Sequence, residues 1–190
     1  MTVSSNLIAI LAKLRHAGGP ARTVGLDDAT IDRLASQFPE LSEAIHAAGD
    51  AFDALRTEGL DDLIDADETT QLRLVQQDYV NFYADDCVNP YVALTARGPW
   101  VVTLKGAVLH DSGGYGMLGF GHTPEGVLAA MAKPQVMANI MTPSVSQLKL
   151  GQALRREIGH TRGACPYARF LCLNSGSESV SLAGRIADVN

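Results

Sequence analysis

The chain has 190 residues, of which 46% are hydrophobic and 19% charged, a balance that excludes wholesale disorder. Its net charge of −6 argues against a nucleic-acid surface, and no apolar run reaches the length of a membrane span. The three cysteines, Cys87, Cys165 and Cys172, never form a CxxC pair, which argues against a disulfide framework or a zinc knuckle and for a cytoplasmic setting.

Charge and glycine divide the chain. Residues 1–80 carry 6 Lys or Arg against 14 Asp or Glu, a net of −8, while residues 81–190 carry 9 against 7, a net of +2. Five of the 18 glycines lie in the first 80 residues and 13 in the rest. This places a boundary near residues 81–90, around Asp85-Asp86 and Asn89-Pro90.

The acidic part reads as helices. Asn6–His16 has Leu7, Ile10, Leu11 and Leu14 at helical spacing and stops at Gly18-Gly19. Leu7–Ala12 is too short, and lacks the basic lead-in, for a signal peptide. Asp28–Phe38 follows, then Pro39–Glu58, which opens on proline and ends at Gly59. Glu68–Tyr83 is a further candidate. The acidic side chains read as the solvated faces of these helices.

The second part changes period. Trp100–Leu104, Lys105-Gly106 and Ala107–His110 read as strand, tight turn, strand. A glycine-rich loop runs from Ser112 to Gly121. Thr123–Lys133 and Ser144–Ile158 read as helices, the second with Val145, Leu148 and Ala153 on its apolar side. Arg169–Leu173 reads as a strand buried on both faces, with Cys172 a packed thiol, followed by a turn at Asn174–Ser177 and a helix over Glu178–Val189. A strand of that kind belongs in a parallel or mixed sheet, so the chain reads as the front of a longer α/β protein. The expected organisation is an acidic helical extension at 1–90, a small α+β segment at 91–167, and the first strand-turn-helix of a larger domain at 168–190.

Two motifs carry chemistry. Gly114-Tyr115-Gly116-Met117-Leu118-Gly119 matches GxGxxG, yet Phe120-Gly121-His122-Thr123-Pro124 follows and no helix can open inside it. It reads as a flexible turn, or as a loop that lets a ligand or another chain come close. Asn174-Ser175-Gly176-Ser177-Glu178 turns the chain from strand into helix, and free N–H groups at a helix start suit a phosphate. The same residues also spell a capping box, Ser175-x-x-Glu178, which would satisfy the helix internally. The histidines are scattered and give no metal-binding pair. His110-Asp111 reads as a general base with its orienting partner, or as a hydrogen-bonded strand end. Arg155-Arg156 reads as a solvated pair that is also able to meet an anion.

The order of these pieces resembles a known family. Arg97-Gly98-Pro99-Trp100-Val101-Val102 through Leu109-His110-Asp111, then Gly114-Tyr115-Gly116 and Gly119-Phe120-Gly121-His122-Thr123-Pro124, resembles the small-domain opening of class III aminotransferases. Asn174-Ser175-Gly176-Ser177-Glu178-Ser179 resembles that family's Asn-Ser-Gly-Ser-Glu-Ala turn. The resemblance covers about residues 91–190. It implies fold type I, pyridoxal 5'-phosphate (PLP) as cofactor, and a homodimer. It implies amine or amino acid donors and keto acid or aldehyde acceptors as substrates. It places the PLP phosphate at Ser175, Gly176 and Ser177, and a substrate contact at Tyr115. Asn139 to Ser144 matches a segment at the active-site entrance. The family's Schiff-base lysine lies well downstream of the turn, whereas Lys13, Lys105, Lys133 and Lys149 all precede it. The catalytic centre is therefore expected outside these 190 residues. The competing expectation is a non-catalytic helical interaction module that keeps a vestigial cofactor turn.

Overall fold

The computed structural model describes residues 3–80, 84, 87–112, 119–134, 136 and 141–189. It divides into two compact units, Met1–Lys133 and Pro134–Asn190.

In the first unit, helix α1 (Val3–Arg15) buries Leu7, Leu11 and Leu14, spaced to fall on one face. Helix α2 (Asp28–Ala35) starts where Asp27 accepts hydrogen bonds from the Thr30 N–H and hydroxyl, both at 2.9 Å. Those two donors hold the Asp27 carboxyl below its usual value. Helix α3 (Pro39–Thr57) opens on proline, whose missing N–H costs nothing there, and buries Leu41, Ala44, Ile45, Ala48 and Phe52. Two shorter helices follow, α4 (Asp61–Asp65) and α5 (Glu68–Gln76), the latter capped by Asp67.

Strands β1 (Ala93–Arg97), β2 (Trp100–Thr103) and β3 (Val108–His110) form an antiparallel sheet in that order. Arg97 pairs with Trp100 across the first hairpin, and Trp100 with His110 across the second. The central strand β2 is buried at every position. Its Trp100 and Val102 join Leu11, Ile45 and Val108 in one core, and the Thr95 hydroxyl donates to the Ala44 carbonyl at 2.8 Å. The acidic helices and the sheet thus share a single hydrophobic core. The composition step near residues 81–90 lies inside this unit, because charge and glycine content follow the solvated surface while the compact unit follows the buried face.

Among the described residues, four polar side chains are buried in this unit, Gln71 and Thr103 and the charged residues Glu68 and Lys105. Glu68 is 1% exposed, and its carboxylate accepts from the backbone N–H of Arg22 at 2.6 Å and of Thr23 at 2.7 Å. Lys105, in the turn between β2 and β3, is 2% exposed and donates to the carbonyls of Ala17 and Ile64. Burial pushes its ammonium below the usual lysine value, while Asp65, Asp67 and Glu68 pull the other way. The reading of the acidic residues as solvated faces therefore fails at Glu68. A short helix α6 (Glu125–Met131) completes the unit.

The second unit holds α7 (Val145–Gly159) and α8 (Gly176–Val189). Ser144 and Gln147 close a capping box on α7. Val145 and Leu148, read as part of the apolar side of this helix, are exposed. Arg155 does not simply face water. Its guanidinium donates to the carbonyls of Tyr167 (3.1 Å) and Ala168 (2.6 Å) and lies 5.4 Å from the Phe170 ring.

The buried strand expected at Arg169–Leu173 is not formed. The segment is irregular, Leu171 is 63% exposed, and Cys172 is exposed rather than packed. A strand needs a neighbour for its N–H and carbonyl groups, and among the described residues none lies beside it. Among the described residues the chain is thus a mixed α+β structure whose sheet is wholly antiparallel. No helix among them is long and apolar enough to cross a membrane.

Candidate functional site

The turn before α8 shows how the phosphate-site and capping-box readings divide the same residues. The Ser175 hydroxyl accepts from the Glu178 N–H at 3.2 Å, and the Ser175 N–H donates to the Glu178 carboxylate at 3.1 Å. That reciprocal pair is a capping box. The Ser179 N–H and hydroxyl both reach the Ser175 carbonyl, at 3.2 and 3.0 Å. These bonds engage Ser175 and Glu178 only. Among the described residues the N–H groups of Gly176 and Ser177, and the Ser177 hydroxyl, have no partner. They stand at the positive end of a 14-residue helix. A Cβ added at Gly176 would meet nothing within 4 Å, so the backbone is open to close approach from outside.

A cleft of about 480 Å³ runs along this helix, lined by Leu173, Ser177, Glu178, Ser181, Leu182 and Arg185. At 1.5 Å per residue, Arg185 lies about 12 Å along the axis from Ser177. It is thus too far to share a phosphate with the turn. The residues fit a phosphate group in number and kind of donor: two backbone N–H groups and one hydroxyl, with no side chain crowding them. Arg185 was missed in the sequence, although its spacing of eight from Ser177 places both on one helical face.

A second arrangement lies in the first unit. Asp111 does not pair with His110. His110 stands edge-on to Trp100, with ring centroids 5.1 Å apart, and Asp111 Oδ2 instead lies 3.0 Å from His122 Nε2. His122 is fixed by two backbone bonds to Gly98, of 2.7 and 3.0 Å. Thr123 beside it adopts φ +52°, unusual for a β-branched residue, and its hydroxyl reaches the Ala96 carbonyl at 3.3 Å. His122, Thr123, Arg97, Glu40 and Glu43 line a cleft of about 310 Å³. This cleft mixes acid and base. No local signal links positions 111 and 122; the hairpin brings them together.

Tyr115, like the other residues of 113–118 in the GxGxxG loop, lies outside the described residues, as do residues 139–140 of the entrance segment and Asp85-Asp86. Among the described residues no group of three or more His, Cys, Asp or Glu side chains forms a metal site. Comparison with known proteins finds no matching family model, no matching curated protein and no matching solved structure.

Proposed function

We propose that this chain is the N-terminal part of a PLP-dependent class III aminotransferase, with Gly176 and Ser177 as its phosphate-holding residues. The observation that carries the reading is the division of labour at the turn. The capping box engages Ser175 and Glu178, and leaves two N–H groups and a hydroxyl at Gly176 and Ser177 without a partner among the described residues. A phosphate bound there takes those three donors and faces the positive end of the helix. Ser175 then acts as the residue that positions the turn, through its bonds to Glu178.

When bound, PLP supplies an aldehyde that accepts the donor's amino group and a ring that withdraws electrons from the carbon beside it. This chain's contribution is to hold and orient the phosphate end. Fold type I and a homodimer belong to the same proposal, as do an amine or amino acid donor and a keto acid or aldehyde acceptor. The lysine that moves the proton is not among residues 1–190, since all four lysines precede the turn.

The test is a transamination assay of the intact gene product with a panel of ω-amine and amino acid donors and a keto acid acceptor. Amino transfer that depends on added PLP supports the reading; a PLP-saturated protein that transfers nothing contradicts it. The missing lysine favours one second reading, an interaction module with a vestigial turn. Under that reading the gene product neither retains PLP nor transfers an amino group.

A further inference from the structure

A separate cleft, unrelated to the turn before α8, lies in the first unit. Helix α5 presents Thr69, Leu72, Arg73 and Gln76 at spacings of three, four and seven, which is one face of a helix. That face lines a cleft of about 620 Å³, whose other walls include Arg22 and Val88. The volume falls in the range of small-molecule sites.

The charges of this cleft run against those of the unit. Residues 1–80 carry 14 acidic side chains, and two other clefts of the unit mix acid and base. One contains Asp27 and Asp28 beside Arg15 and Lys105, the other Glu40 and Glu43 beside Arg97. Among the described residues, the cleft on α5 is lined by two arginines and by no Asp or Glu. Among the described residues neither arginine is in an ion pair. Arg22 reaches only the Thr69 hydroxyl and Arg73 only the Thr70 hydroxyl, each at a long 3.4 Å. Arg15 and Arg56, by contrast, are each held by a carboxylate.

The wall that carries Arg22 is anchored. Buried Glu68 takes the backbone N–H of both Arg22 and Thr23, so the arm that carries the Arg22 guanidinium is anchored from below. The same bonds engage Oε2 of Glu68, whose side chain is not among the residues lining the cleft. The Thr23 hydroxyl ties this arm to the Pro90 carbonyl at 3.4 Å.

We propose that this cleft binds a small organic anion, with its carboxylate or phosphate head between Arg22 and Arg73 and an apolar body against Leu72 and Val88. Guanidinium groups suit both heads, because their paired N–H donors match the oxygens of either. The apolar wall selects for a hydrocarbon body over a bare inorganic ion.

The experiment follows the arginine side-chain Nε–Hε signals of the 190-residue chain by NMR. The chain is titrated separately with hexanoate, phenyl phosphate and uncharged hexanamide. The Arg22 and Arg73 signals are expected to move together and saturate with one of the two anions, or with both, while Arg33 stays still and hexanamide has no effect. The anion that saturates identifies the head group. Arg22→Gln and Arg73→Gln are each expected to weaken binding by about tenfold or more. Because the shifts are read on the unsubstituted chain, a variant that fails to fold leaves the test intact. Three outcomes overturn the proposal: no saturation with either anion, equal drift at all arginines, or hexanamide binding as well as hexanoate.

Discussion

Asp111 and His122 form a hydrogen-bonded pair, 3.0 Å between Oδ2 and Nε2, across eleven residues of chain. Each is also fixed by its backbone, Asp111 N–H to the Pro99 carbonyl at 2.7 Å and His122 to Gly98. The pair therefore fastens the segment leading into α6 onto the β1–β2 hairpin. The three-stranded sheet sets the distance between them, and His110 serves as packing for Trp100.

Removing the carboxylate tests that role. Asp111→Ala is expected to destabilise the first unit by at least the usual worth of one hydrogen bond, about 0.5–1.5 kcal/mol. It is also expected to shift the His122 ring nitrogen resonances. His110→Ala should leave those resonances in place. Denaturant melts and 15N spectra of the two variants check both statements; a His122 signal that responds to position 110 and not to 111 contradicts the pairing.

Gly18 and Gly59 have the same left-handed backbone in different surroundings. Their φ values are +68° and +79°. A Cβ at Gly18 would lie 2.3 Å from the Asp65 backbone, whereas one at Gly59 would meet nothing within 4 Å. Gly59→Ala should therefore cost only the conformational strain, roughly 1–2 kcal/mol. Gly18→Ala should cost clearly more, because the 18–19 loop must also leave α4. Equal melting temperatures for the two variants would show that the close approach to Asp65 is not needed for stability.

Most helices of the first unit were legible because they carry a local signal, whereas the five-residue α4 was not read. Leucines at helical spacing mark α1, Pro39 opens α3, and the sheet hairpin turns at Lys105-Gly106. Strand β1 was not legible. Its alternation is weak, and it exists because β2 pairs with it and α3 covers it. Glu68 was misread for a similar reason, since only the tertiary fold brings the N–H groups of Arg22 and Thr23 to it. Arg169–Leu173 was misread from composition, as an apolar run reads as a strand whether or not a neighbour is present to pair with it. At the turn before α8, sequence alone presented capping and ligand binding as rivals. The geometry gives the cap to Ser175 and Glu178 and leaves the Gly176 and Ser177 donors without a partner among the described residues.

The cap on α5 is expected to give a measurable pH dependence. Asp67 accepts from the Thr70 N–H at 3.0 Å and hydroxyl at 2.9 Å, and those bonds hold its carboxyl below 3.8. A carboxyl lowered in the folded state contributes stability that is present above pH 3.8 and is lost as pH falls through its folded value. Asp67→Asn keeps an acceptor oxygen and removes the titration. Its melting temperature should fall less steeply in acid than that of the parent chain. Parallel acid limbs for the two proteins would mean that the cap does not contribute to the pH dependence.

The central claim is that the turn holds a phosphate through Gly176 and Ser177 while Ser175 caps the helix. The direct measurement is a backbone amide titration of the 190-residue chain with PLP, repeated on Gly176→Val and Ser175→Ala. The account predicts saturable shifts at the Gly176 and Ser177 amides. It predicts loss of those shifts in Gly176→Val, where a branched side chain occupies the open approach. Ser175→Ala should lower the stability of α8 by about 1 kcal/mol and keep the two amides responsive once the helix is formed. If PLP leaves the Gly176 and Ser177 amides unmoved, or moves them equally in Gly176→Val, the turn is a helix cap and the phosphate assignment is wrong.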